Sequence, residues 1–212
     1  MAVPETQARI AAEAIAALDE AGIPCLLVGG VASSILGRPR STDDVDVFVR
    51  QDDADRALEV LADSGFTTER TNPQWIYKAE KGGIPIDLVF WLKGGITVDD
   101  EMLSRAVHDE LAGRPVRVIP PEDLFVIKAI SFDEQSNRHW YDALGLLAVR
   151  PLDWPYLVVR ARHGARRVLS LLVFAQADDL IVPDQAIEAL YRAVYDAQPP
   201  GMRDAAARAE RR

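Results

Sequence analysis

Helical and strand-like periods of apolar positions alternate along this chain up to about residue 120, after which only the helical period remains. Residues 5–21 are rich in Ala and place Ile10, Ile15 and Leu18 at near-helical spacing, which predicts a helix ending at Gly22. Pro24–Val28 is a short apolar run that stops at Gly29-Gly30, a buried strand followed by a short helix over Val31–Leu36 that Gly37 closes. Val45–Val49 alternates β-branched residues with acids and predicts a strand. Asp52–Ser64 is amphipathic and helical, ending at Gly65. Trp75–Ala79 and Ile84–Leu92 read as two strands joined by a turn at Lys81-Gly82-Gly83. Asp99–Leu111 reads as a helix and Pro115–Ile119 as a last short strand.

Beyond Pro121 only helical periods remain, over Glu122–Phe132, Arg138–Val149, Trp154–Ala175 with a break at Gly164, and Asp184–Ala197. The predicted class is α/β (α+β), a mixed β-sheet core flanked by helices with a C-terminal helical lobe. Residues 1–120 form the α/β core and 121–198 the helical lobe completing a cleft. Residues 199–212, opening on Pro199-Pro200-Gly201, form a flexible tail.

Composition narrows the class. With 49% apolar and 27% charged residues in 212, the chain matches an ordinary globular protein. Cys25 stands alone, so no internal disulfide forms, and a reducing cytoplasm is the expected location. Glu5, Arg9 and Glu13 interrupt any signal-peptide core, and runs such as Val168–Ala175 fall short of the ~20 residues that span a bilayer. A net charge of −9 excludes a protein that coats nucleic acid with a global basic surface, but not one with a local basic patch or a metal-binding acidic cluster.

The acids are where the chemistry concentrates. Asp44 and Asp46 sit two apart on a strand, which puts both carboxylates on one face about 7 Å apart along the backbone, with Val45 and Val47 on the other. Such a pair can share a divalent cation. Asp87 is a lone acid within the apolar run IPIDLVF, where a bare charge needs compensation. Gly29-Gly30, between a strand and a helix, leaves backbone N–H groups open to a phosphate, and Ser33 or Ser34 can add a hydroxyl. The spacing matches neither GxGxxG nor GxxxxGK[ST]. The plain alternatives are a half-exposed strand acid, an Asp87–arginine pair and a tight turn.

Taken in order, VGGVASSILGRPRSTDDVDVFV resembles the signature of the DNA-polymerase-β-like nucleotidyltransferase superfamily, and Asp87 matches its third metal-binding acid in a later strand. The segment holding Arg40, Thr42, Asp44 and Asp46 resembles the minimal bacterial branch that includes abortive-infection (AbiEii-type) toxins. PPEDLFVIKAISF followed by RHWYDALGLL is similar to the helical half of that branch, with Lys128 and Asp142 at pocket positions and His139 as a departure of open role.

The resemblance implies a Mg²⁺-dependent enzyme, with a two-ion site possible, that moves a nucleoside monophosphate from a nucleoside triphosphate to an acceptor hydroxyl. Asp44, Asp46 and Asp87 would be catalytic metal ligands, Asp87 alternatively the base. Gly29, Gly30 and Ser33 would cradle phosphates, with Arg40 and Lys128 on phosphate oxygens, Thr42 fixing its loop, and Asp142 orienting Lys128 or meeting the sugar.

Three readings of function stand: a toxin acting on RNA with a protein antitoxin as partner, an enzyme modifying an aminoglycoside-like antibiotic, and an inactive nucleotide-binding module. Arg150, Arg160, Arg162, Arg166 and Arg167 fall within eighteen residues; on the helix after Trp154, Arg162 and Arg166 share a face and Arg160 and Arg167 lie on another edge, a basic strip for RNA or simply a solvated helix face.

Overall fold

The structure is a computed structural model that describes residues 3–133 and 137–196; the expected tail at 199–212 lies outside them. Helix α1 (Glu5–Glu20) buries Ile10, Ala14, Ile15 and Leu18 on one stripe and stops before Gly22, whose φ of 70° no helix continues. Strand β1 (Cys25–Val28) is wholly buried and runs directly into α2 (Gly29–Leu36). Strand β2 (Val45–Val49) follows, then a 3₁₀ turn at Gln51–Asp53 and α3 (Ala54–Asp63).

Strands β3 (Thr67–Asn72), β4 (Ile76–Lys81) and β5 (Ile84–Val89) form a meander, and β6 (Val107–Leu111) and β7 (Arg114–Val118) a hairpin after the short α4 (Asp100–Ser104). Among the described residues the seven strands make one mixed sheet in the order β3-β4-β5-β2-β1-β7-β6. The central neighbours β2 and β5 run parallel, while β1 and β2 run antiparallel. Helices α1 and α3 pack together against the sheet.

Helices α5 (Pro121–Ser131), α6 (Arg138–Val149), α7 (Trp154–Arg160), α8 (Ala165–Ala177) and α9 (Asp184–Tyr195) complete the chain, and α2 bridges to them through α5 and α6. One contiguous apolar core takes residues from both halves. A buried ionic cluster ties them further: Arg160, 2% exposed, pairs with Asp123 of α5 and with Asp99, the N-cap of α4. The Tyr156 hydroxyl donates to Asp123 (2.6 Å), so that acid's oxygens are both engaged.

The fold class and most elements agree with the sequence reading, with three differences. The helix expected over Asp99–Leu111 ends at Ser104; Val107–Leu111 is a strand, because Ala112 and Gly113 both take positive φ and close a tight hairpin onto β7. Thr67–Asn72, all polar, is an edge strand held by its backbone pairing with β4. As expected, the helix over Trp154–Ala175 breaks at Gly164, where an added Cβ would lie 2.5 Å from Ile130 Cγ1. The break also undoes the expected arginine strip. Arg160 is buried, Arg150 donates to the carbonyls of Ile35 and Leu36, and only Arg162, Arg166 and Arg167 are exposed.

Candidate active site

Strand register brings Asp46 and Asp87 together. Val28, Asp46, Asp87 and Lys78 are cross-strand partners in one row over β1, β2, β5 and β4, so their side chains share a face. Asp44 lies just before β2 on that side. The carboxylates of Asp44, Asp46 and Asp87 each bring an oxygen within 4.8 Å of the others. Burial first, then the charges of Asp44 and Asp87, push the Asp46 carboxyl up to about 6. Three converging acids that hold one proton too tightly are the donor set a divalent cation with oxygen ligands fits.

The cluster is assembled from outside its own strand. Gln7 of α1, buried, donates from Nε2 to the carbonyls of Thr42 (3.1 Å) and Asp44 (3.0 Å), which fixes the loop entering β2. Thr42 Oγ1 donates to Asp44 Oδ1 (2.7 Å) and orients that carboxylate. Lys78 Nζ donates to Asp87 Oδ1 (2.9 Å) on the outer side.

The glycines make room for these acids. Gly29 has φ 67°, and a Cβ there would lie 2.5 Å from Asp46 Cγ and overlap Oδ2. A Cβ on Gly30 would lie 2.8 Å from Thr42 Cβ, and the Gly30 N–H donates to the Asp46 carboxylate. The two glycines thus hold the start of α2 directly over the acidic cluster.

Opposite stands a cationic group from three elements. Asp142 of α6 accepts from Arg40 Nε (2.9 Å) and Nη2 (3.0 Å) and from Lys128 Nζ of α5 (2.9 Å). Burial alone would raise Asp142, but the two cations outweigh it and hold its carboxyl below the ordinary range. Burial lowers Lys128 from the usual lysine range. Arg40 is steered by Ser34, whose hydroxyl donates to the Arg40 carbonyl (2.7 Å). Two cations on one anion leave a net positive charge facing the acids.

A cleft lies between the two groups, and Gly29, Gly30, Arg40, Thr42, Asp44, Asp46 and Lys128 line it. Asp87, the cross-strand partner of Asp46, and Asp142, which holds Lys128 and Arg40, are not among its lining residues. Ser33 does not line the cleft: it is buried and its hydroxyl donates to the Gly29 carbonyl (2.8 Å).

Sequence reasoning left out Gln7, Lys78, Arg138 and Ser131, the last two also lining the cleft. Lys78 was accessible, since a two-residue Gly82-Gly83 turn pairing Lys81 with Ile84 sets it opposite Asp87. His139, of open role, lines the cleft too; burial lowers it to about 4, so it is neutral at pH 7, and its Nδ1 is buried without a partner.

Among solved structures the fold is similar to the antigenic nucleotidyltransferase-like protein from Paracoccidioides brasiliensis, with TM-score 0.56 and 16% identity over 90% of this chain and 96% of that one. It is also similar to the lincosamide antibiotic adenylyltransferase LnuA, solved with lincomycin bound, with TM-score 0.50 and 13% identity over 71% and 100%. A looser likeness, TM-score 0.48 and 21% identity over 91% and 94%, is to the antibiotic-resistance factor ANT(2'')-Ia. At these identities the likeness is one of fold. No curated protein matches the chain. The model of the family described as nucleotidyl transferase of unknown function (DUF2204) matches residues 7–145, from the α1 glutamine that braces the acids to α6 just past Asp142. The chain belongs to that family and is a nucleotidyltransferase.

Proposed function

We propose that the protein transfers a nucleoside monophosphate from a Mg²⁺-bound nucleoside triphosphate to an acceptor hydroxyl. The observation that carries this is the convergence of Asp44, Asp46 and Asp87 within 4.8 Å, beside a glycine-opened helix and facing paired cations. Asp44 and Asp46 would hold the metal, with Asp87 as a further ligand of a two-ion site or as the base. When bound, Mg²⁺ supplies Lewis-acid charge to the triphosphate oxygens.

The chain's own groups do the rest. Gly29 and Gly30 let the triphosphate approach the backbone, and the spare N–H groups of Lys128 and Arg40 meet its oxygens while Asp142 holds both in place. Ser33 supports this turn from beneath. The acceptor oxygen attacks the α-phosphorus, forming one P–O bond as the bond to the bridging oxygen of the β-phosphate breaks. The hydroxyl proton passes to Asp87, and pyrophosphate leaves.

The cytoplasm, which supplies these triphosphates, suits a chain whose lone thiol, Cys25, burial first and then the charge of Asp19 push up to about 12. Among the described residues no helix is long and apolar enough to cross a membrane. The resemblance of residues 40–46 and 120–132 to the abortive-infection branch supports a toxin with a protein antitoxin as the biological setting.

The test is Asp44→Asn with each α-labelled nucleoside triphosphate and total RNA as acceptor. Transfer disappears while the circular dichroism spectrum is kept; Mg²⁺-dependent transfer by the folded variant would overturn the assignment.

A further inference from the structure

The active-site cleft does not end at the acids. Leu92 and Ser131 line both the cleft and an adjoining groove of about 740 Å³, walled by Trp75, Trp91, Pro73 and the amides of Gln51 and Gln74. Trp75 and Trp91 are 44% and 43% exposed, a large apolar area to leave in water. They lie near each other because Phe90 N donates to the Trp75 carbonyl (3.0 Å), which extends the β4–β5 pairing by one step.

Beyond the tryptophans the groove meets Lys93, which also borders a second hollow lined by His163, Arg166 and Arg167. The turn carrying Lys93 is pinned there. His163 Nδ1 lies 3.0 Å from the Gly94 carbonyl, and Gly94, at φ 83°, has no room for a Cβ, which would fall 2.6 Å from the His163 carbonyl oxygen. Aromatic faces, amide edges and then exposed cations therefore follow one another along a single track leaving the acids. Asp87 and Trp91 are four residues apart, about 13 Å of extended chain, a span that a short single strand covers.

We propose that this track holds the acceptor, and that the acceptor is a single-stranded nucleic acid with its terminal hydroxyl at the acids, its bases stacked on Trp91 and Trp75, and its phosphates on Lys93, Arg166 and Arg167. Stacking platforms followed by a basic groove are the arrangement that binds single strands with little regard to sequence. Charge argues for an anion: in a chain of net −9, the cations gathered here would repel a polycationic small molecule. The inference rests on the nucleotidyl-transfer reading for the placement of the hydroxyl, while binding along the track is measurable without turnover.

The experiment is fluorescence anisotropy with labelled single-stranded RNA and, in a second arm, DNA, each with a free 3′ hydroxyl. Binding of a non-hydrolysable nucleoside triphosphate with Mg²⁺ is followed separately. Trp91→Ala and Trp75→Ala should each weaken oligonucleotide binding about tenfold, with thermal unfolding and triphosphate binding unchanged. The slope of log affinity against log salt should be about −2 for three phosphate contacts and fall in magnitude by about 0.7 in Lys93→Ala. Equal oligonucleotide affinity in wild type and all three variants overturns the proposal, as does loss of triphosphate binding in Trp91→Ala, or label passing only to aminoglycosides or lincosamides in the transfer assay. Absence of transfer with oligonucleotide binding intact and tryptophan-dependent would instead count against the nucleotidyl-transfer reading alone.

Discussion

Replacing Gly29 by alanine tests the site through its packing, without touching a charged group. Two costs separate cleanly. The first is conformational: at φ 67° an L-residue pays about 1–2 kcal/mol relative to glycine. Gly22 has nearly the same φ, 70°, and an added Cβ there meets nothing within 4 Å, so Gly22→Ala measures this cost alone. The second is specific to the site. The new methyl would lie 2.5 Å from Asp46 Cγ and overlap Oδ2, so the Asp46 carboxylate must swing off its place over the Gly30 N–H. Losing that charge-assisted hydrogen bond adds about 1.5–3 kcal/mol, part of it offset as Asp46 moves away from the other acids. Misplacement of a reacting group by about 1 Å is worth on the order of a hundredfold in rate. Urea denaturation should therefore place Gly29→Ala below Gly22→Ala in stability. The transfer assay should find Gly22→Ala near wild type and Gly29→Ala at least about a hundredfold slower. Comparable rates in the two variants would refute the claim that Gly29 exists to seat Asp46.

Two further outcomes follow from the electrostatics. The folded-state value of Asp46, about 6, lies above its unfolded value of 3.8, so the folded chain holds this proton more tightly; the resulting stability is present below pH 4 and lost as pH rises through 6. Asp46→Asn in chelator should thus be more stable than wild type at pH 7, by up to about 3 kcal/mol, with the difference vanishing near pH 4; a pH-independent difference in urea midpoints would contradict this. Lys128→Ala should weaken nucleoside triphosphate binding far more than nucleoside binding, because only the triphosphate carries the charge that Lys128 meets. Equal triphosphate affinity by calorimetry would reduce Lys128 to a partner of Asp142.

The part of the site legible in the sequence is the part written in short-range pattern. Asp44 and Asp46 declare a shared face by their spacing, and Asp87 stands out as the one acid in its apolar strand. What escaped depends on contacts across the fold. Gln7 lies 35 positions before Thr42, and only the docking of α1 makes it a brace. Arg160 reads as one more surface arginine until α7 packs it between Asp123 and Asp99. Strand β3 has no apolar residue, so no hydrophobic alternation marks it; its pairing with β4 comes from backbone groups alone. Residues 107–111 carry apolar residues at both ends, compatible with helix or strand, and the hairpin at Ala112-Gly113 decides between them.

Polar β3 has a consequence for solubility. The strands that end the sheet, Thr67–Asn72 and Val107–Leu111, are its most water-exposed, and they carry Glu69 and Arg70 on one side and His108, Asp109 and Glu110 on the other. A register irregularity between Glu69 and Asn72 further spoils the outer edge of β3 as a template. Charge and irregularity at both borders discourage a second chain from adding a strand. The apolar strands between them, β4 with Ile76 and Tyr77 foremost, would seed aggregation if uncovered. Residues 67–72 thus act as a cover for the sheet, and shortened or permuted versions of the chain stay soluble only where that cover is kept.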